Sequence, residues 1–121
     1  MERVYNLEAR LGKFAIMMLN VCDLLPFTKT GSNLAHQLSK SGTAPALLYG
    51  EVQAAESKAD FIHKMGVLLK ELRETKINLR IIIEKAVIVN DILLPAFKEC
   101  NELVAIFTAS RETAKRNLNN K

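Results

Sequence analysis

Four titratable residues in the middle of the chain have the spacing of a helical site. Asp60 and His63 are one helical turn apart, and Glu71 and Glu74 form a second pair with the same spacing. The first pair could bind a metal ion weakly. The second pair could act as a general acid and a general base, if burial raised the pKa of one carboxyl group above that of the other. Nothing nearby predicts the apolar pocket that acid–base chemistry requires, so we expect no catalytic residue here. His63 is predicted to be a surface or subunit-contact residue.

The remaining nucleophiles and metal ligands are isolated in the sequence. Cys22 and Cys100 form no CxxC motif, and His36 has no second ligand one turn away. We expect two buried free thiols in a reducing cytosol, and a disulfide between the first and last helices is the alternative. No glycine-rich phosphate loop or paired zinc-ligand motif occurs. The sequence therefore predicts no enzyme, no cofactor and no metal.

Basic side chains share one shoulder of a predicted third helix. At about 100° per residue they fall within an arc of about 60°. They are Lys58, Arg73, Lys76 and Arg80. The acidic residues Asp60, Glu71 and Glu74 fall on the opposite shoulder, with an apolar stripe between. Solvated faces and simple salt bridges are the alternative explanation for both shoulders.

A second basic cluster lies near the end of the chain. Residues 111–121 are rich in basic side chains, among them Arg111, Lys115 and Arg116. Together with the third helix they have the charge needed to follow a phosphate backbone. No aromatic platform for stacking bases stands out, because most aromatic residues lie in apolar stripes. We therefore predict that any nucleic-acid binding is electrostatic and weakly sequence-specific.

Apolar periodicity predicts four helices, over residues 2–25, 32–55, 57–85 and 90–118. The first has an unbroken seam with steps of three and four. Its members are Val4, Leu7, Leu11, Phe14, Met18, Val21 and Leu25. Further apolar residues widen this stripe beyond what one neighbouring helix covers, which predicts oligomerisation. Short loops between the helices favour an all-α, antiparallel up-down-up-down four-helix bundle.

Capping residues and proline predict where the helices begin and break. Ser32 or Thr30 is predicted to cap the second helix, and Ser57 the third. Pro45 allows either a kinked continuous second helix or a restart, and the small residues beside it favour the kink. Asn90 or Leu94 is predicted to start the fourth helix.

The composition bounds the class of protein. The 121 residues fit one domain, with a net charge of +4 and a hydrophobic fraction of 49%. The first 20 residues are too charged for a signal peptide, and no apolar run approaches the roughly 20 residues that span a bilayer. We therefore expect a cytoplasmic protein without a membrane partner.

Several segments resemble one bacterial family along essentially the whole chain. They are Ser41–Thr43, Gly50–Glu51, Ala55–Lys64, Leu69–Glu71, Arg73–Thr75 and Thr113–Asn117. The family consists of ribosomal-protein-like four-helix bundles encoded in intervening sequences of large-subunit ribosomal RNA genes. The chain departs from many relatives at Lys76–Asn78, where aromatic residues are common, and at Pro45.

The resemblance implies a homo-oligomer that assembles as a ring, commonly a homopentamer. A relative, the accessory protein of diversity-generating retroelements, forms a similar basic pentamer and works with a reverse transcriptase and nucleic acid. No catalytic residue carries over. The leading hypothesis is thus a non-enzymatic oligomeric scaffold that binds RNA or other nucleic acid. The alternative is a protein–protein interaction scaffold with no role in nucleic-acid binding.

Overall fold

The computed structural model describes residues 6–119 as four helices joined by short loops. They are α1 (Leu7–Leu24), α2 (Lys29–Gln53), α3 (Lys58–Lys85) and α4 (Leu93–Asn119). No strand occurs among these residues. Consecutive helices pack against each other, and α1 and α4 share a smaller contact, which confirms the predicted four-helix bundle. Predicted helix residues 2–5 and the last two residues of the basic tail lie outside the described part.

The predicted seam of α1 faces the interior. Leu11, Phe14, Met18 and Val21 are fully buried, as their spacing predicts. Ile16, on the opposite side of the helix, remains 59% exposed. The single bundle therefore leaves part of the apolar surface of α1 uncovered.

The second helix begins earlier than predicted. Thr28 is its N-cap, and the Thr28 hydroxyl accepts a hydrogen bond of 3.0 Å from the N–H of Gly31, so the prediction of Ser32 or Thr30 was wrong. A Cβ at Gly31 would clash with the carbonyl oxygen of Pro26. The glycine is thus a point of close backbone approach inside the first turn.

Pro45 lies within one continuous α2, so the restart alternative was wrong. Because proline has no N–H, the carbonyl of Ser41 loses its helical donor. A Cβ added to Gly42 would lie 2.5 Å from Cγ of Met18 on α1. The small residues beside Pro45 therefore allow the close helix approach that the sequence indicated.

The N-terminus of α3 confirms the predicted cap. The Ser57 hydroxyl accepts the N–H of Asp60 at 3.0 Å. The Asp60 carboxylate accepts the N–H of Glu56 at 3.1 Å, one residue earlier than a standard capping box would use. These bonds fix the direction in which α3 leaves the loop.

The opposite end of α3 is a left-handed turn. Ala86 has φ 55°, and residues 87–90 beyond it are neither helix nor strand. The fourth helix begins at Leu93, between the predicted starts Asn90 and Leu94. None of the four described helices has the length and apolar character needed to cross a lipid bilayer.

Candidate nucleic-acid interface

The two shoulders of α3 face different neighbours. On the basic shoulder, Nη2 of Arg73 donates a hydrogen bond of 3.3 Å to Oγ1 of Thr108 on α4. On the acidic shoulder, Glu71 and Glu74 line a groove together with Ser41 of α2. Since α3 packs between α2 and α4, the sidedness predicted from the helical wheel becomes two separate grooves.

The groove between α3 and α4 brings three predicted basic residues together. It has a volume of about 260 Å³, and its lining residues are Arg73, Lys76, Ile77, Arg80 and Val104. From residue 73 to residue 80 the helix rises about 10 Å, so the three cations form a short row. Nε of Arg80 lies 3.7 Å from a Glu84 carboxylate oxygen, an exposed pair that holds the side chain only weakly.

Arg111 connects α4 to α3. Its Nε donates a hydrogen bond of 2.9 Å to the carbonyl oxygen of Ile62. A Cβ on Gly66 would lie 2.9 Å from Nη2 of Arg111, so the guanidinium rests on the bare backbone of this glycine. Arg111 therefore lies on the α3–α4 face, with one of its N–H groups committed to a structural bond.

The same face continues toward the start of α3. Lys58 lines a hollow of about 490 Å³ together with Ala114 and Asn117 of α4. Lys115 follows Arg111 by one helical turn, and its Nζ lies 3.5 Å from a Glu112 carboxylate oxygen. Cations thus occur at both ends of the α3–α4 face.

Arg116 departs from this arrangement. It lies about 100° around α4 from Lys115, and its Nη2 donates a hydrogen bond of 3.2 Å to Thr113. The other six predicted basic residues form what we call the basic face. They are Lys58, Arg73, Lys76, Arg80, Arg111 and Lys115. From residue 58 to residue 80 this face is about 33 Å long.

The acidic candidates do not form one site. Asp60 lies about 16 Å along α3 from Glu71, and Lys64 pairs with its carboxylate at 3.1 Å. The backbone hydrogen bond from Glu56, assisted by Lys64, lowers the pKa of Asp60 below its ordinary value. His63 is exposed beside it. The Asp60 carboxylate therefore helps to cap the N-terminus of α3.

Glu71 and Glu74 lie in the larger groove between α2 and α3. This groove has a volume of about 500 Å³, and His36 also lines it, although it is remote in sequence. Burial, and then the charge of Glu74, raises the pKa of Glu71 above its ordinary value. Within residues 6–119, no group of three or more His, Cys, Asp or Glu side chains is placed to hold a metal ion.

A buried polar network, which sequence reasoning missed, joins α2 to α3. Oγ1 of Thr75 lies 2.9 Å from Oγ of Ser41 and 2.9 Å from the carbonyl oxygen of Glu71, and Nδ2 of Asn78 donates to Ser41 at 3.4 Å. Ser41, Thr75 and Asn78 are all buried. Thr75 occupies a position of the apolar stripe between Leu72 and Leu79. A polar residue within this stripe was the sequence signal that could have indicated the buried network.

An ion pair between α1 and α4 was also missed. Nε of Arg10 lies 2.7 Å from one Glu99 carboxylate oxygen, and its Nη2 donates to Glu99 and to Glu102, each at 2.8 Å. The hydrogen bond to Glu99 raises the pKa of Arg10 above its ordinary value. This bidentate contact closes the side of the bundle where α1 and α4 share little surface.

The two cysteines form no disulfide, and Cys100 is buried as predicted, whereas Cys22 is only partly buried. The Cys100 thiol is 3.4 Å from the carbonyl oxygen of Leu72, and the Cys22 thiol is 3.5 Å from that of Ala35. Burial raises the pKa of Cys100 to about 12 and that of Cys22 to about 11. Both thiols are therefore protonated at neutral pH and are poor nucleophiles.

Comparisons with known proteins bear on the fold. No family model matches the chain, and no curated protein matches it. Among solved structures, it is similar to a protein with unknown function from the S23 ribosomal protein family of Bacteroides thetaiotaomicron VPI-5482. The two are 24% identical with a TM-score of 0.78, and the match covers 86% of this chain and 96% of that chain. The chain therefore has the fold of a solved member of the ribosomal-protein-like family that its sequence resembles.

Proposed function

We propose that the protein is a non-enzymatic, homo-oligomeric scaffold that binds RNA or other nucleic acid along the basic face. The observation that carries this proposal is the groove between α3 and α4. Three exposed or half-exposed cations, Arg73, Lys76 and Arg80, converge there on one side of the bundle. The resemblance to a family with nucleic-acid-associated relatives supports the same function.

The chemistry of the groove is that of phosphate recognition. Arg73 and Arg80 offer forked N–H donors that match phosphate oxygens, and Lys76 adds a point charge between them. Ile77 and Val104 add apolar side chains to the lining of the groove, without hydrogen-bonding groups that read bases. Bound phosphates displace counterions, so the affinity must fall as the salt concentration rises.

Aromatic residues give this face no base-stacking platform. Tyr49 and Phe107 pack edge to face inside the bundle, with ring centroids 5.9 Å apart. Phe61 lines the hollow beside Lys58, but its ring is partly buried against the core. Binding through the basic face is therefore expected to tolerate many sequences and to depend on backbone geometry and charge.

A salt titration tests the proposal. Fluorescence anisotropy with a labelled RNA hairpin, from low to high salt, should show an affinity that falls steeply as salt increases. The triple variant Arg73→Ala, Lys76→Ala, Arg80→Ala should reduce the slope of log affinity against log salt by about two to three, at roughly 0.7 to 0.9 per lost phosphate contact.

A matched control removes the same charge elsewhere. The triple variant Lys13→Ala, Lys40→Ala, Lys98→Ala loses three exposed cations outside the basic face. It should keep the wild-type slope. The absence of binding at low salt, or an equal loss in both triple variants, would contradict binding at the basic face.

The oligomeric part of the proposal is supported by uncovered apolar surface on α1. Ile16 and Leu19 are exposed although they lie in a helix with a broad apolar stripe. The family resemblance implies a ring, commonly a pentamer, which multiplies a weak basic face and raises its avidity. Light scattering that returned the 13.5 kDa mass of one chain would contradict it.

The alternative function is a scaffold for another protein. The exposed apolar surfaces of α1 and α4, where Leu94 is 69% exposed, favour this candidate. A protein that co-purifies with the chain and remains bound after nuclease treatment would support it. Loss of the same partner after nuclease treatment would support nucleic acid as the bridge.

A further inference from the structure

The end of the bundle formed by the α1–α2 and α3–α4 loops carries an unusual concentration of exposed apolar side chains. Phe27 is fully exposed, Val89 is 91% exposed, and Leu24 and Leu94 are also exposed. Because consecutive helices run in opposite directions, both loops lie at the same end. We call these four residues, Leu24, Phe27, Val89 and Leu94, the apolar end.

A hollow opens at the same end. It has a volume of about 320 Å³, and its lining residues are Ile83, Ile88, Val89, Asn90, Asp91, Leu93 and Leu94. Two local bonds fix its backbone: the N–H of Val87 donates to the carbonyl of Ile82 at 3.1 Å, and the N–H of Ile92 donates to the Asn90 side chain at 3.0 Å. The hollow is therefore preformed, and it is large enough for an aromatic ring.

Phe27 does not fill the hollow of its own chain, because its side chain is fully exposed. One end of the molecule thus presents both a projecting aromatic ring and an apolar hollow. A two-fold axis at this end would exchange the two features, so that each copy offers its ring to the other.

The charges around the apolar end favour a second copy over a strongly charged partner. Asp23, Glu84 and Asp91 are exposed near it, and so are Lys29, Lys85 and Lys98. This balanced rim attracts neither an anionic surface, such as a membrane or nucleic acid, nor a cationic one. A rim with both signs in equal number meets a second copy of itself without net charge repulsion.

We propose that two copies of the chain associate end to end through the apolar end, with Phe27 of each copy seated in the hollow of the other. A buried Phe alone covers about 150–250 Å². With its three apolar neighbours the patch reaches roughly 500 Å² per copy, so two copies bury roughly 1,000 Å², near the lower limit for a specific interface. This contact is separate from the basic face and from any ring that side-by-side packing of bundles forms.

The first experiment uses the absence of tryptophan from the chain. Phe27→Trp introduces a single tryptophan, which can be excited selectively over the two tyrosines and should enter the hollow of a second copy. Its emission at micromolar concentration should be blue-shifted and protected from acrylamide. The matched control is Leu47→Trp, at an α2 position that is 75% exposed, and its emission should be that of a solvated indole. Equal emission and equal quenching in the two variants would overturn the proposal.

The second experiment measures mass by light scattering or sedimentation. Phe27→Asp places a charge at each of the two exchanged contacts and should halve the mass of the wild-type assembly. Leu47→Asp should leave that mass unchanged. The same halving of the mass is expected whether two single bundles or two rings associate end to end. A Phe27→Asp assembly with the wild-type mass would overturn the end-to-end contact, whatever the outcome of the RNA titration.

Discussion

The two shoulders of α3 show how one helix combines two kinds of surface. On the side toward α2, Ser41, Thr75 and Asn78 form a buried hydrogen-bonded network. On the side toward α4, Arg73 and Lys76 line an open groove. Buried polar groups are costly to leave unpaired, whereas exposed cations are held loosely and remain available. The α2–α3 contact is thus expected to govern stability, and the α3–α4 contact to govern binding.

A pair of matched Thr→Val substitutions tests this contrast most strongly. Thr75→Val should lower the free energy of unfolding by about 1–3 kcal/mol, because the buried Ser41 hydroxyl loses the shorter of its two hydrogen bonds and keeps only the 3.4 Å contact with Asn78. Thr108→Val removes only the partly exposed 3.3 Å contact with Arg73 and should cost less than about 0.5 kcal/mol. Urea unfolding measures both, and equal losses would contradict the division between the two contacts.

Single charge removals on α3 make the same comparison for binding. Arg73→Gln should weaken RNA binding several-fold and reduce the salt slope by about one. Lys70→Gln is the control, since Lys70 lies outside the basic face and its Nζ is 4.0 Å from a Glu74 oxygen. It should leave the affinity nearly unchanged. Identical salt slopes for the two variants would show that net charge alone drives binding.

Glu71 and Asp60 should change the stability of the protein in opposite directions as the pH rises. The pKa of Glu71 is raised above 4.5, so its contribution to stability is present in acid and is lost as the pH rises through its folded-state pKa. Wild type should therefore lose stability relative to Glu71→Gln as the pH increases from about 4 toward neutrality.

The pKa of Asp60 is lowered below 3.8, so its contribution is present at neutral pH and is lost as the pH falls through its folded-state pKa. The stability difference between wild type and Asp60→Asn should therefore shrink in acid. Urea midpoints measured across the pH range for both variants check the two signs. Parallel pH curves for wild type and Glu71→Gln would argue against a raised Glu71 pKa.

The smallest expected effect is at Gly66. A new Cβ there meets the guanidinium of Arg111, which must shift and weaken its hydrogen bond to Ile62, but alanine is a better helix former than glycine and this gain exceeds the loss. Gly66→Ala should therefore raise the free energy of unfolding by a few tenths of a kcal/mol. Gly42→Ala, where the new Cβ meets the buried stem of Met18, should lower it by about 1–3 kcal/mol. Thermal unfolding separates the two, and stabilisation by Gly42→Ala would contradict the close α1–α2 packing.

Some parts of the fold were predictable because they depend on short-range pattern. The seam of α1 and the cap at Ser57 follow from residue types within a few positions. The start of α2 was misplaced because Gly31 resembles a loop residue, whereas it lies in the first turn against the carbonyl of Pro26. That close approach depends on the reversal of the chain between two helices, which periodicity does not encode.

The candidate site also has features that the sequence predicts and features that only the packing of the helices determines. The sequence by itself determined that α3 has a basic and an acidic shoulder, because helical geometry places residues three and four apart on one side. Only the tertiary structure decided which neighbour each shoulder meets. It placed Arg111 across α3, turned Arg116 away and joined Thr75 to Ser41. The physical reason is that such contacts form between residues remote in the chain, where packing, and not local spacing, decides which side chains meet.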